Sequence, residues 1–316
     1  MPEPALLFVD DEPMMLNSLR HLFDDDYEVL TANSGKKGLE LLSKHDVGVI
    51  ISDQRMPEML GHEFLAQAKI LRPDTIRILL TGYSDIDDTI RSINDGEIFR
   101  YVNKPWQAAK LSETVNLAYK LHKKLVAEKN VQVRAEMYSN FAVLPPLPHL
   151  LLIDANTERL SRTKFLLDRQ YEVETATTAE EAFEILASKS ISVLVIESLK
   201  GTYIDEAEFL TILKTADPDV VSILVSDVRD SELAKRLVNE GSVFRYVIRP
   251  FSDEALKGIV GLAAARAELY KQSPAKNIRR QENNLTGFRA SVQELAHPFP
   301  ELVEKVRAWY EKRKTY

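Results

Sequence analysis

The chain contains no cysteine. That excludes a disulfide framework, thiol catalysis and any zinc site built on thiolates, and it suits a reducing compartment. Long apolar runs are missing as well. Val47–Ile51 and Ile191–Ile196 fall far short of the ~18 residues that a membrane span requires. The start, Met1-Pro2-Glu3-Pro4-Ala5, carries no basic segment of the kind that opens a secretory signal. Neither secretion nor membrane insertion is expected, and a cytoplasmic location is. No Gly-rich phosphate loop or kinase nucleotide motif is present. His21, His45, His62, His122, His149 and His297 are scattered without metal-ligand spacing and read as surface or boundary residues.

What is present is an ordinary globular composition, 45% apolar and 28% charged over 316 residues, a length that suggests two domains with connecting material. The formal net charge of −7 hides an asymmetry. From Lys271 onward there are ten Lys or Arg and five Glu, so the tail is basic and the body acidic. The body exerts no general pull on nucleic acid.

An internal repeat decides the architecture. Leu6-Leu7-Phe8-Val9-Asp10 matches Leu150-Leu151-Leu152-Ile153-Asp154, and Tyr27–Ala32 matches Tyr171–Ala176. Phe99-Arg100-Tyr101-Val102 with Lys104-Pro105 matches Phe244-Arg245-Tyr246-Val247 with Arg249-Pro250. The register slips by one residue just after Asp53 and Glu197. A repeat of this length means two whole domains rather than a solenoid.

In the first copy strands are expected at Ala5–Val9, Tyr27–Ala32, Val47–Ser52, Thr75–Thr81 and Arg100–Asn103. Amphipathic stretches separate them, at Met15–Phe23, Ser34–Ser43 and His62–Leu71. The near-continuous apolar character of Val49-Ile50-Ile51 suits a parallel sheet covered on both faces. Each copy is therefore expected to be α/β, a flavodoxin-like (βα)5 doubly wound parallel sheet with its site at the carboxyl ends of the strands. A helical stripe of Leu111, Val115, Ala118, Leu121 and Leu125 runs on past the first copy. It fades near Tyr138, and Pro145-Pro146-Leu147-Pro148 ends any helix. The expected divisions are 1–125, a helical linker 126–148, a second domain 149–272, and a basic tail 273–316. The tail opens on a linker, Ser273-Pro274-Ala275-Lys276, and includes a short helix over Glu301–Tyr310.

On this fold Asp10 and Asp11 end the first strand, Asp53 the third, Thr81 the fourth and Lys104 the fifth. Carboxylates gathered at one rim repel, each pair costing roughly 3 kcal/mol at ~5 Å and an effective dielectric near 20. Such a cluster calls for a cation, and hard oxygen ligands suit Mg²⁺.

These residues carry a resemblance. Asp10-Asp11-Glu12, Asp53-Gln54-Arg55-Met56-Pro57, Thr81-Gly82 and Lys104-Pro105 resemble the receiver domain of two-component response regulators, over roughly residues 4–125. The resemblance implies phosphotransfer from a histidine kinase, a phosphotransfer protein or a small phosphodonor to Asp53. It implies Mg²⁺ held by Asp11, Asp53 and the backbone carbonyl of Arg55, with Asp10 acting mainly through water. Lys104 and the Thr81 hydroxyl would take phosphoryl oxygens, and Tyr101 would be the switch aromatic. A cis Lys104-Pro105 bond is implied as well, and Arg55 and Tyr83 occupy positions that tune dephosphorylation. Receivers of this kind often precede enzymatic outputs, including cyclic-di-GMP phosphodiesterases, although no GGDEF-like or HD-type run is present here.

The second copy departs from the pattern. Asp154 persists, but Asp11 becomes Ala155, Asp53 becomes Glu197, Thr81 becomes Ser226 and Lys104 becomes Arg249. This resembles a degenerate pseudo-receiver. Arg249 is expected to pair with Glu197 or Asp154 and to replace the metal as an internal cation. Glu197 reads either as drift at a disused site or as a charge that holds an activated-like state.

The expected function is phosphorylation-dependent signalling through altered dimerisation or protein contact, without an enzymatic activity beyond self-phosphorylation and dephosphorylation. The expected partners are the kinase or phosphotransfer protein and a second copy of the chain, through the helical linker or a receiver face; neither membrane nor nucleic acid is expected. Three alternatives stand beside it: the regulatory part of a cyclic-di-GMP enzyme, a transcription regulator acting through its basic tail, and a phosphorylation-independent adaptor.

Overall fold

The computed structural model describes residues 3–82, 94, 97–135, 148–199, 204–228, 230–239 and 243–286. Tyr83, Pro145–Pro148 in all but its last residue, and Glu301–Tyr310 lie outside the described residues. Two compact units are present: Met1–Glu136 with Asp230–Asn239, and Met137–Arg229 with Glu240–Tyr316.

The first unit contains β1 (Ala5–Val9), α1 (Pro13–Phe23), β2 (Val29–Ala32), α2 (Gly35–Lys44), β3 (Val47–Asp53), α3 (Gly61–Leu71), β4 (Ile76–Thr81), β5 (Arg100–Asn103) and α4 (Ala108–Ala135). Its five strands are all parallel in the order β2-β1-β3-β4-β5. Every residue of β1, β3 and β4 is buried, which explains why these strands show no alternation in sequence. The expected strand positions hold, with β2 two residues shorter at its start than Tyr27–Ala32. Local chemistry sets the helix starts. Pro13 opens α1, where a missing N–H costs nothing. The Ser34 hydroxyl accepts from Lys37 N at 3.3 Å to cap α2. The Glu63 carboxylate reaches back to Leu60 N at 2.9 Å at the start of α3.

Leu111, Val115, Ala118 and Leu121 of α4 are fully buried, as their spacing predicts. Tyr119 stacks edge-on against Tyr27 with ring centroids 4.9 Å apart, and its hydroxyl donates to Pro4 O at 2.9 Å. Burial pushes that phenol up to about 12, with the Glu3 charge adding to the effect. Two histidines expected near the surface are instead buried. His62 faces Gln54, Nδ1 to Nε2 at 2.9 Å, and His122 Nδ1 lies 2.9 Å from Asp74 O. Burial was illegible because each imidazole finds a polar partner that only the tertiary fold supplies.

The second unit contains β6 (His149–Asp154), α5 (Thr157–Leu167), β7 (Glu172–Ala176), α6 (Ala179–Ser188), β8 (Val193–Ser198), α7 (Glu206–Ala216), β9 (Val221–Ser226), β10 (Arg245–Ile248) and α9 (Asp253–Gln272). The helix Ser231–Asn239, α8, belongs to the other grouping. The sheet order β7-β6-β8-β9-β10, all parallel, repeats the first unit's topology, as the sequence repeat requires. Leu150, Leu152, Val193, Val195, Ile223, Val225 and Val260 lie at the centre of its core.

The stretch read as a linker is packed structure. Pro274–Lys276 forms a 3-10 turn leading into α10 (Ile278–Thr286). Asn277 is fully buried. Its amide donates to Pro218 O at 2.8 Å and Asp219 Oδ1 at 2.7 Å, and its Oδ1 accepts from Arg279 N at 3.1 Å. Lys214 meets Glu282 at 3.1 Å, both side chains largely buried. The expected division at 272 therefore falls inside packed chain.

Candidate functional site

In a sheet ordered 2-1-3-4-5 the chain leaves β1 toward one side and β3 toward the other, which opens a crevice between their carboxyl ends. Asp10 follows β1 and Asp53 ends β3, so both carboxylates stand at that crevice. Lys104 follows β5 and reaches across. Its Nζ lies 2.9 Å from Asp10 Oδ2 and 2.5 Å from Asp53 Oδ1. The remaining oxygens are taken by backbone donors: Glu12 N gives to Asp10 Oδ1 at 2.9 Å, and Arg55 N to Asp53 Oδ2 at 2.7 Å. Asp10 is 1% exposed and Asp53 6%, and these partners offset the cost of burying polar groups there.

Burial opposes the charge on Lys104, but the hydrogen bonds and charges of Asp53 and then Asp10 outweigh it and raise the ammonium above its ordinary value. Thr81 is buried at the end of β4, with its Oγ1 3.4 Å from Gly82 O, and its carbonyl accepts from Lys104 N at 2.7 Å. Tyr101 is 5% exposed on β5. Lys104-Pro105 is cis, as is Arg249-Pro250. Asp11 is half-buried beside Asp10. The Arg55 side chain is exposed, and its contribution at the carboxylate is its N–H.

Among the described residues no group of three or more His, Cys, Asp or Glu is arranged to hold a metal ion. The donor chemistry nonetheless fits a hard divalent cation. Asp10 and Asp53 set two carboxylates against one ammonium, which leaves a formal charge of −1 at a rim of oxygen donors, with Asp11 next to Asp10 in the chain.

Sequence reasoning missed Gly61. A Cβ there would stand 2.1 Å from Asp53 O and 2.9 Å from Gln54 Cα. Only glycine lets the first turn of α3 lie against the backbone at the end of β3. The signal was a glycine at the start of a helix, where it is a poor helix former.

Residues 6–116 match the response regulator receiver domain family. They form a receiver domain of two-component response regulators. The hydrogenase transcriptional regulatory protein HoxA of Cupriavidus necator is 38% identical to the chain over 116 residues, 37% of this chain and 24% of that protein. The transcriptional regulatory protein GlrR of Escherichia coli K12 is 38% identical over 105 residues, 33% of this chain and 23% of its own length. The chain thus spans about a quarter of the length of these relatives. A solved signal receiver domain of an HD domain-containing protein from Pseudomonas fluorescens Pf-5 is 34% identical. That match covers 38% of this chain and 98% of the solved one, with a TM-score of 0.38.

At the corresponding rim of the second unit, the structure brings together Asp154, Glu197, Ser226 and Arg249, with Ala155 contributing only its N–H to Ser198 O at 3.0 Å. Arg249 pairs with Glu197. The cation that bridges the two carboxylates is a different residue, Arg159 of α5. Its Nε lies 2.5 Å from Asp154 Oδ2 and 2.9 Å from Glu197 Oε2, and a second nitrogen lies 2.7 Å from Asp154 Oδ1. Burial alone would raise Asp154; hydrogen bonds from Arg159, Asn156 N and Ser198 hold it below the usual carboxylate range. At Glu197 burial prevails over Arg249 and the value rises. Arg159 escaped the sequence reading because its counterpart in the first copy is Met15, outside every motif.

Proposed function

We propose that the receiver accepts a phosphoryl group on Asp53 from a histidine kinase or phosphotransfer protein and signals through altered dimerisation or protein contact. In this reading the second unit is a degenerate receiver that accepts none. The observation that carries the proposal is the shared Lys104. It holds the carboxylates of two strand ends together at the crevice and leaves Asp53 at a solvent-facing rim. In the transfer a carboxylate oxygen of Asp53 attacks phosphorus, the P–N bond to the donor imidazole breaks, and that nitrogen keeps the bonding pair. Lys104 and the Thr81 hydroxyl are placed to meet the equatorial oxygens, which is most of what phosphoryl transfer asks of a protein. Mg²⁺ on Asp11, Asp53 and the Arg55 carbonyl, with Asp10 acting through water, would supply charge neutralisation at the same oxygens. Tyr101 serves as the aromatic that reports the state of the site. No enzymatic output is proposed, and the protein is placed in the cytoplasm.

Incubation with acetyl phosphate and Mg²⁺ should add one phosphoryl group per chain, and Asp53→Asn should add none. Label retained on the variant would overturn the assignment. Light scattering with and without beryllofluoride tests the output, which is expected to change with phosphorylation. A second reading comes from the relatives, which are transcriptional regulators by name: an output on DNA through the basic residues beyond 286. Salt-dependent DNA binding by the full chain would favour it.

A further inference from the structure

The ion network of the second unit extends to the loop that follows β9. Asp227 there faces both guanidinium groups, 3.7 Å from Arg159 and 3.5 Å from Arg249. The next residue, Val228, fixes the loop from its other side. Its carbonyl accepts from the Tyr246 hydroxyl at 3.0 Å and from Ser226 Oγ at 3.0 Å, and its N–H donates back to Ser226 Oγ at 3.1 Å. Tyr246 is completely buried.

The repeat shows that this arrangement depends on several changes together. Arg159, Glu197 and Asp227 stand where the first copy has Met15, Asp53 and Gly82. Glu197 keeps the charge of Asp53, Arg159 adds a second cation between Asp154 and Glu197, and Asp227 adds a largely exposed carboxylate facing both guanidinium groups. Together they give two guanidinium groups against Asp154, Glu197 and Asp227. The longer Glu197 side chain reaches both cations, and Asp227 carries the pairing out to the loop.

We infer that the second unit contains a built-in ionic latch. Arg159 and Arg249, bridging Asp154, Glu197 and Asp227, hold Asp227 and Val228, just after β9, against Tyr246 in a single conformation independent of divalent cations and phosphoryl donors. A metal ion or a phosphoryl group dissociates, whereas these cations are covalently part of the chain. The inference deepens the reading of a degenerate second unit. Its readout lies outside the receiver, so failure of Asp53 labelling would leave it standing.

The test is hydrogen exchange on the full-length protein at neutral pH, read at the Val228 amide and the β10 segment. In the natural sequence exchange should be the same in EDTA, in Mg²⁺, and in Mg²⁺ with beryllofluoride. Asp227→Asn should accelerate Val228 exchange about five-fold, the change that two partly exposed ion pairs support. Asp227→Glu, which keeps the charge, should stay within about two-fold of the natural protein. Unchanged exchange in Asp227→Asn would overturn the latch, as would a loop that responds to Mg²⁺ or beryllofluoride in the natural sequence. Loss of protection across the whole second sheet in both variants would also overturn it, because Asp227 would then be a folding residue and not a loop tether.

Discussion

Replacing Lys104 by Met tests the electrostatics of the receiver rim without opening a large cavity. Lys104 is 2.9 Å from Asp10 and 2.5 Å from Asp53, so the two carboxylate oxygens it joins are at most 5.4 Å apart. Without the ammonium they repel by about 3 kcal/mol at an effective dielectric of 20. That figure agrees with the ~3–5 kcal/mol seen when one partner of a buried pair is removed. Lys104→Met should therefore destabilise the receiver by about 3 kcal/mol in EDTA, and adding Asp10→Asn should return at least half of the loss. Urea unfolding followed by tryptophan fluorescence reads this out. The chain has two tryptophans, and a Trp309→Phe background leaves Trp106, two residues beyond Lys104, as the reporter. A loss below about 1 kcal/mol, or no recovery in the double variant, would show that Lys104 does not balance these charges.

Gly61→Ala should cost the receiver more than about 2 kcal/mol, because the new methyl meets Asp53 O at 2.1 Å; it should also slow acetyl-phosphate labelling, both measurable on the same protein. Asn277→Ala should cost the second unit about 2–3 kcal/mol through its lost buried hydrogen bonds, read by urea unfolding and by exchange across α10. Asp154 titrates below its ordinary value, so its pairing stabilises the second unit above the unfolded carboxylate pKa and is lost as pH falls through the lower folded value. Asp154→Asn should therefore cost about 2 kcal/mol near pH 6 and progressively less as pH falls below the ordinary carboxylate value of 3.8, with the denaturant midpoints of the two proteins drawing together.

Much of this architecture was legible in the chain. The repeat predicted two copies of one topology, and the apolar runs placed the strands because strands buried on both faces carry their burial in composition. The receiver residues were legible because the motif spacing maps onto strand ends. The second rim was only half legible. Arg249 stands at a motif position, and of its two expected partners, Glu197 and Asp154, it pairs with Glu197. Arg159 and Asp227 sit where the first copy has Met15 and Gly82, and their convergence depends on a helix face and a loop that no short motif encodes. Likewise the Ser-Pro composition of Ser273–Lys276 has the appearance of a linker; its packing depends on Asn277 finding Pro218 and Asp219, some 60 residues earlier in the chain.

Asn277 has a consequence for how this protein can be divided. An amide that satisfies a distant turn on one side and starts a helix on the other joins α10 to the sheet before it. A chain shortened at Gln272 would leave the Asp219 carboxylate and the Pro218 carbonyl without those donors, and Lys214 without its acidic partner. The second half of the molecule and the fourteen residues after its long closing helix fold as one body, and any study of that half in isolation should carry the chain through Thr286.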